Sequence, residues 1–341
     1  MTQHAIFSPS ATDRWLACPG SITLTEQLES DSGGHSIYTA EGTTIHALAE
    51  QVLQAKYVDR QDPQPILAAA PGKPWSDYAD GLDSFGDNEV TPEMVWQAQT
   101  YLEAVDAIVQ PQDTVGIETR VTMNAALFGT IDLLVHTRRG EVYLVDLKTG
   151  SGKEVSAKEN PQLMTYASCW AAQFPDLAAT VHTYHLVIVQ PPFEPAVSSH
   201  AIGKQRVQQH TEQLLQTMYK VETGIAARTP GDHCRWCPAR AACPTLRERA
   251  DHALSRSFDG LQPAEWDELL LLADHLEPWC KSVRERSQQA AEQGIEIPNR
   301  KLVRRYGRTT WADEDQAENT LQVALEHAGV HNPILRNPGK L

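Results

Sequence analysis

The sequence lacks the features that mark membrane-spanning, secreted and repetitive proteins. No stretch approaches the roughly 18 consecutive apolar residues of a membrane span. The N-terminus, "MTQHAIFSPSATDRWLACPG", has no basic segment followed by an apolar run, so no signal peptide is predicted. Internal repeats and low-complexity runs are also absent. We therefore expect a soluble intracellular protein that has no membrane partner.

Cysteine is scarce, with six residues in a chain of 341, which is too few for a disulfide scaffold. Cys234, Cys237 and Cys243 nevertheless cluster with the spacing C-x2-C-x5-C. In a reducing compartment such a cluster is typical of metal binding, and one ligand is missing from a four-thiolate site. Cys169 and Cys280 lie outside any motif, where a buried apolar thiol is the default, although either could supply the fourth ligand.

Basic residues are outnumbered, because 29 lysines and arginines face 44 acidic residues and give a net charge of -15. This balance argues against a protein that coats nucleic acid by bulk electrostatics, but an acidic enzyme can still act on DNA through local basic patches and metal ions. One acid-free stretch of nine residues, "RKLVRRYGR", is either a phosphate-tracking arm or a solvated basic strand. Its basic residues are Arg300, Lys301, Arg304, Arg305 and Arg308.

A complete phosphate-binding loop is also absent. The stretch "TGSGKE" at 149–154 resembles the end of the pattern G-x-x-x-x-G-K-[ST], but Leu147 stands where the first glycine should be. Glu154 likewise replaces the hydroxyl residue that would reach magnesium. We therefore predict neither a nucleotide site of this kind nor a helicase motor.

The hydrophobic patterns predict an α+β protein. Helices are predicted over 43–57 and 91–110, after Asn160 and Pro161, and over 203–225. Segments 114–123, 128–138 and 141–148 are predicted to form a meander of three strands, and 179–190 a fourth, mostly buried strand. The stretch 58–90 is predicted to be an irregular insertion. Residues 256–341 are predicted to form a mostly helical extension that is broken near Pro278 and contains the basic strand-like segment.

The predicted meander brings acidic side chains together. A turn centred on Arg139 places Asp132 opposite Asp146, and alternation along the strand puts Lys148 on the same face as Asp146. A turn centred on Ala125 places Glu118 opposite Asp132. The other face is expected to build the core, with Ile131, Leu133, Val135, Tyr143, Val145 and Leu147.

Three carboxylates that stand opposite one another are unfavourable unless a positive charge lies between them. Because oxygen-rich sites suit Mg²⁺ or Mn²⁺, we predict a divalent cation there. The alternative is that these are ordinary solvent-facing acids on the exposed side of a half-buried sheet.

These residues resemble the PD-(D/E)xK nuclease superfamily, in which an acid ends one strand and a D/E-x-K triplet lies on the next. Asp132 in "GTID" and the triplet of Asp146 and Lys148 in "VDLK" match that pattern. The RecB-type branch has Q-x-x-x-Y on the following helix, matched by Gln162 and Tyr166 in "QLMTY". That branch also has a metal-binding histidine on an upstream helix, and His46 in "GTTIHALAE" matches it.

The resemblance implies a restriction-endonuclease-like core, a mixed sheet flanked by helices, over residues 1–255, and an extension over 256–341. It implies a Mg²⁺- or Mn²⁺-dependent deoxyribonuclease, an exonuclease rather than an endonuclease, that acts in phage DNA recombination or repair in the cytoplasm of a bacterial host cell. The expected partners are linear DNA ends or single strands and a single-strand annealing protein. Strand polarity and homo-oligomer formation stay open. The alternative is an inactive DNA-binding or assembly module with the same fold.

The resemblance also implies roles for the matched residues. The expected metal ligands are His46, Glu118, Asp132 and Asp146. Lys148 is expected to orient or polarise the attacking water, and Gln162 and Tyr166 to position the DNA strand or the motif. In the iron-sulfur subset of these nucleases one cysteine precedes the core and three follow it, and Cys18 matches the first. A 4Fe-4S cluster would then staple the N-terminal segment to the region after the core; zinc is the alternative, because four thiolates also satisfy it.

Overall fold

The structure is a computed structural model that describes residues 5–27, 37–85, 88–254 and 262–303. The chain forms two compact units, Met1–Cys280 and Lys281–Leu341. The first unit contains the sheet and every residue of the candidate site. The described part of the second unit holds the end of a helix and the residues after it, up to 303. The predicted division of the chain near residue 255 stays a prediction.

A five-stranded mixed sheet forms the centre of the first unit, and its strands follow chain order from β1 to β5. The strands are β1 (Thr114–Thr122), β2 (Phe128–His136), β3 (Glu141–Leu147), β4 (Thr183–Val189) and β5 (Val197–Gly203). β1, β2 and β3 form the predicted antiparallel meander, β4 runs parallel to β3, and β5 runs antiparallel to β4. The fold class is therefore α+β with a mixed sheet, as predicted, although β5 was not foreseen.

Both predicted turn centres are confirmed. Ile117 pairs with Leu133 and Thr119 with Ile131, so Glu118 stands opposite Asp132. The β2–β3 ladder pairs Leu133 with Val145, so Asp132 and Asp146 face each other at the next position along the strands. The acids therefore lie side by side on three adjacent strands, midway along β1 and β2 and next to the last residue of β3.

The predicted core face is confirmed for Leu133, Val135, Val145 and Leu147, which share one buried cluster, but the prediction that the opposite face builds the chemistry is wrong, because that face is also buried. Leu133 and Val145 belong to one buried cluster, whereas Leu134 and Leu144 belong to a second cluster on the opposite face. Ile131 lies in the second cluster, whereas Leu133, two residues later, lies in the first. Residues two apart on a regular strand share a face, so the alternation of faces is broken between them. The break coincides with the Glu118–Asp132 position, which the β1–β2 pairing omits. Both faces are covered, and the polar site lies midway along β1 and β2 and at the end of β3.

Helices cover the two faces of the sheet. α3 (Ile37–Leu53) and α5 (Pro92–Asp106) pack against each other on one face. α1 (Thr12–Ala17), α6 (Pro161–Gln173) and α8 (Lys204–Glu222) contribute to the cluster on the other face. The remaining α-helices of the described residues are α2 (Gly20–Glu26), α4 (Gln64–Ala68), α7 (Pro175–Thr180), α9 (Pro244–Leu254) and α10 (Pro263–Glu292).

Two predicted helix starts are confirmed by their capping bonds. The Thr91 hydroxyl accepts a hydrogen bond from the Met94 amide, and Pro92 occupies the first helical position of α5. The Asn160 side chain accepts one from the Leu163 amide at the start of α6. Such caps satisfy amides that have no partner inside the helix. The α6 cap fixes the first turns of that helix, which carry Gln162 and Tyr166.

The predicted irregular insertion contains α4, short 3-10 turns at Trp75–Asp77 and Asp83–Phe85, and a bridge between Pro74 and Glu89. The predicted break near Pro278 is wrong, because α10 continues through it. Proline removes one helical hydrogen bond, but Asp274, whose carbonyl loses that donor, lies at an exposed position where water can replace it.

Arg300 and Lys301 are exposed, and no strand forms over 295–303, the described part of the predicted strand-like segment. Arg304, Arg305 and Arg308 lie outside the described residues. None of the helices in the part of the chain that the structure describes combines the length and the apolar character that a membrane crossing requires.

Candidate metal centre and active site

Three side chains from three elements form a tight group of metal-ligating atoms. His46 from α3, Glu118 from β1 and Asp132 from β2 each offer one ligand atom, and these atoms all lie within 4.8 Å of one another. The Nδ1 atom of His46 is 3.6 Å from Oδ2 of Asp132. The Leu147 amide donates a 2.7 Å hydrogen bond to that same oxygen, which fixes the Asp132 carboxylate against β3. The structure thus brings together three of the four predicted metal ligands.

The fourth predicted ligand, Asp146, lies beside this group in a separate polar set. The Lys148 ammonium is 2.8 Å from Oδ2 of Asp146, and the Gln162 amide donates a 2.7 Å hydrogen bond to Oδ1. Lys148 also donates to Oε1 of Gln162 at 3.1 Å. Asp146 is only 3 % exposed, and its enclosed Oδ2 has no well-aligned hydrogen bond despite the nearby ammonium. That oxygen retains the capacity to bind a cation.

Tyr166 supports Gln162 from one turn further along α6. Its hydroxyl lies 3.3 Å from the Gln162 amide nitrogen, and its ring is buried. The ring fits only because residue 129 on β2 is glycine, since a Cβ there would lie 2.9 Å from Tyr166 Cε1 and 2.7 Å from Pro9 Cγ. Gly129 in "GTID" therefore leaves the space that the ring of Tyr166 in "QLMTY" occupies.

The pKa values reflect crowded, partly buried acids. Burial, followed by the charge of Asp146, raises the pKa of Asp132 well above its usual range. Burial, then Glu50 and Asp146, raises the pKa of Glu118 to about 7. Burial lowers the pKa of His46, which favours the neutral imidazole that binds metals. Like charges at this separation need protons or a cation between them, so the residues present fit a divalent cation.

The backbone is strained where the acids meet. Glu118 has φ of 44°, in the left-handed region that residues other than glycine rarely adopt. Such a conformation costs about 1–3 kcal/mol and is found mainly at functional sites. The strain coincides with the skipped pair in the β1–β2 ladder.

Three residues near this site were not predicted from the sequence. Glu50 follows His46 by one turn of α3 and acts electrostatically on Glu118; the i, i+4 spacing was the signal that could have found it. Tyr101 on α5 has the sequence pattern of a core aromatic residue, but its pKa is raised by burial and then by the carboxylates of the site. Gln190, at the end of β4, carries no sequence signal.

Gln190 fixes the loop that links Lys148 to Gln162. Its amide donates hydrogen bonds to the carbonyls of Gly150, at 2.7 Å, and Lys153, at 2.9 Å. Its Oε1 accepts a 2.8 Å hydrogen bond from the Val155 amide. The stretch that resembles half of a phosphate-binding loop is therefore held by a buried side chain.

The predicted cysteine quartet gathers. Cys18, Cys234, Cys237 and Cys243 line one pocket, whereas Cys169 and Cys280 do not. The Thr229 amide donates to the Cys18 sulfur at 3.4 Å, and the Gly231 amide to the Cys234 sulfur at 3.5 Å. Cys169 is buried in the core, as expected for an inert thiol, and burial raises its pKa to about 12.

No three sulfurs of the quartet lie mutually within 4.8 Å of one another. Zinc lies about 2.3 Å from each sulfur in a tetrahedral site, which sets the sulfurs about 3.8 Å apart. Among the described residues, the only group with at least three ligand atoms mutually within 4.8 Å is that of His46, Glu118 and Asp132. The pocket brings together two segments that are distant in the sequence, since Cys18 lies near the N-terminus and the other three cysteines follow the core. A 2.9 Å hydrogen bond from the Gly20 amide to the Ala227 carbonyl joins the same two segments.

Fold and site together define an α+β protein whose mixed sheet carries a group of two carboxylates and one imidazole that could hold a cation. The chain belongs to the family described as "Protein of unknown function (DUF2800)", whose profile matches residues 4–332.

Solved structures show only distant similarity. The crystal structure of SSO0001 has 10 % identity and a TM-score of 0.26, over 65 % of this chain and 92 % of that one. An alkaline exonuclease from Laribacter hongkongensis, LHK-Exo, has 12 % identity and a TM-score of 0.22, over 55 % of this chain and 95 % of that one. The structure of LHK-Exo in complex with dAMP has 11 % identity and a TM-score of 0.23, over 53 % of this chain and 93 % of that one. Scores this low carry no argument about function.

Proposed function

We propose that this protein is a divalent-metal-dependent DNA nuclease that hydrolyses phosphodiester bonds. The observation that carries this proposal is the convergence of Asp132 from β2 with Asp146 and Lys148 from the end of β3, beside the group that His46 and Glu118 complete. The same residues carry the resemblance to RecB-type PD-(D/E)xK nucleases. Sequence motif and geometry therefore support the same chemistry.

His46, Glu118 and Asp132 would hold the cation, with the Asp146 carboxylate, paired with Lys148, beside them. Carboxylate oxygens with one imidazole suit Mn²⁺ and also accept Mg²⁺. A bound cation lowers the pKa of its water and neutralises charge on the phosphoryl group.

Lys148 is the catalytic residue that we expect to face the substrate. Its side chain is 30 % exposed while its ammonium stays 2.8 Å from Asp146, so it can reach a phosphate without leaving its ion pair. A fixed positive charge stabilises the negative charge that develops on the phosphate oxygens. Gln162 is a positioning residue, because it hydrogen bonds both Asp146 and Lys148, and Tyr166 supports it.

The family resemblance supports the finer parts of this proposal. We propose an exonuclease that acts on linear ends or single strands during phage DNA recombination or repair in a bacterial cytoplasm, with an annealing protein as partner. Incubation with linear and circular DNA and Mn²⁺ tests it, with Asp132→Asn as the inactive control. Shortened ends support an exonuclease and opened circles an endonuclease. Binding without cleavage by the wild type favours the inactive module and overturns the proposal.

We propose that the cysteine quartet holds a 4Fe-4S cluster. The gathering of four thiols in one pocket, the burial of Cys18, Cys234 and Cys237 and the amide hydrogen bonds to two sulfurs support a thiolate-bound metal group, and the family resemblance favours the cluster over zinc. Anaerobically purified protein should absorb in the visible range and contain iron. Cys237→Ser should lose both signals, and Cys280→Ser, which changes a cysteine outside the pocket, should keep them. Stoichiometric zinc without iron would contradict this assignment.

A further inference from the structure

Tyr101 presents a polar atom that the fold leaves unsatisfied. The residue lies on α5, is 2 % exposed and belongs to the core cluster between the sheet and the helices α3 and α5. Its hydroxyl oxygen is fully enclosed and has no hydrogen-bond partner. Most buried polar groups in native proteins are paired, and an unpaired one is costly. A phenylalanine would fill the same space without this cost, so the hydroxyl calls for an explanation.

The surroundings of Tyr101 supply one. The carboxylates of Asp132, Asp146 and Glu118 all contribute to raising its pKa, after burial, so all three lie within electrostatic reach of the hydroxyl. The hydroxyl therefore keeps its proton and can donate a hydrogen bond, and the ring packs in the same cluster as Leu133 and Leu147, the chain neighbours of Asp132 and Asp146. Gln97, four residues earlier on the same face of α5, also has a side-chain oxygen that is buried and unpaired. Two polar groups without partners thus follow one face of the helix that packs against α3.

We propose that Tyr101 is a positioning residue of the cation site, whose hydroxyl donates its hydrogen bond to an oxygen ligand once a cation is bound. Binding of a cation would thus give the hydroxyl a hydrogen-bond acceptor. Groups that hydrogen bond metal ligands from behind orient those ligands and strengthen binding. The inference rests on the cation site of the proposed function but does not depend on DNA cleavage.

Mn²⁺ binding to the full-length protein, measured by calorimetry without DNA, tests the inference. Tyr101→Phe should weaken Mn²⁺ binding about tenfold or more, which is the usual effect of losing such a group. Its melting temperature in chelator should equal or exceed that of the wild type, because the change removes an unpaired buried hydroxyl. Tyr184→Phe is the matched control, since Tyr184 is a buried tyrosine of β4 whose pKa is raised by burial alone. It should bind Mn²⁺ as the wild type does.

Asp132→Asn separates failure of this inference from failure of the proposed function. If Asp132→Asn abolishes Mn²⁺ binding while Tyr101→Phe leaves it unchanged, the cation site stands and the role of Tyr101 is refuted. If neither change affects binding, the cation site and the proposed function fail together. A lower melting temperature of Tyr101→Phe in chelator, with unchanged Mn²⁺ affinity, would show a merely structural tyrosine and also refute the inference.

Discussion

Replacement of Glu118 by glutamine should make the metal-free protein more stable at pH 8. Burial and the neighbouring carboxylates raise the pKa of Glu118 from an ordinary value of 4.5 to about 7. The native state therefore keeps a proton that the unfolded chain releases near pH 4.5. Stability falls as pH rises between these two values, and the penalty is complete above pH 7.

The magnitude follows from the size of that change. A pKa increase from 4.5 to about 7 corresponds to about 3 kcal/mol in full. Glu118 is only partly buried, so screening by water reduces the expected penalty to about 1–2 kcal/mol. Glutamine cannot ionise, so the Glu118→Gln protein should be more stable than the wild type by this amount at pH 8 and by little at pH 5.

Urea denaturation followed by tryptophan fluorescence, in chelator at pH 5 and pH 8, measures this difference. Glu212→Gln is the matched control, because Glu212 is an exposed acid on α8. Addition of Mn²⁺ at pH 8 should stabilise the wild type more than the variant, since a cation offsets the crowded charge. Equal pH dependence of the wild type and Glu118→Gln would refute the argument that Glu118 is held in an unfavourable charged site.

Three further predictions test parts of the site. Gly129→Ala should lower the free energy of unfolding by about 1–3 kcal/mol, because the added Cβ presses on Tyr166. The control Gly152→Ala, whose added Cβ would meet nothing within 4 Å, should change it by no more than about 0.5 kcal/mol. Similar losses for the two variants in chemical denaturation would contradict this prediction. Gln190→Leu should lower the free energy of unfolding by about 2–3 kcal/mol, because three backbone groups lose their partner. It should also lower kcat on DNA more than it raises KM. Gln190→Glu, which keeps the acceptor for the Val155 amide, should lose less stability. Gln162→Leu should lower kcat at least about tenfold and lower stability by about 1–3 kcal/mol, because buried Asp146 loses a hydrogen-bond donor. Full activity in steady-state assays would refute its positioning role.

The strand register could be predicted because short hairpins constrain it strongly. Once the turns were centred on Ala125 and Arg139, the opposition of Glu118, Asp132 and Asp146 followed by counting. The starts of α5 and α6 were predictable for a similar reason, since Thr91 and Asn160 each precede a proline and cap locally. Local chemistry decided all of these features.

The features that were missed depend on tertiary packing. β5 is an edge strand of mostly polar and small residues, "VSSHAIG", and lacks the apolar alternation that reveals a strand. The change of face at Ile131 follows from the strained backbone at Glu118, which no sequence period reports. Tyr101 and Gln190 reach the site from distant elements, so only the folded chain shows their neighbours.

Cleavage of end-labelled linear DNA with Mn²⁺, by the wild type and by Lys148→Met, tests the nuclease assignment most directly. Lys158→Met is the matched control, because Lys158 is an exposed lysine in the loop that follows the same strand. The wild type and Lys158→Met should shorten the DNA, whereas Lys148→Met should fold, bind DNA and leave it intact. Cleavage by Lys148→Met at the wild-type rate, or the absence of cleavage by pure, metal-loaded wild type, would contradict the account.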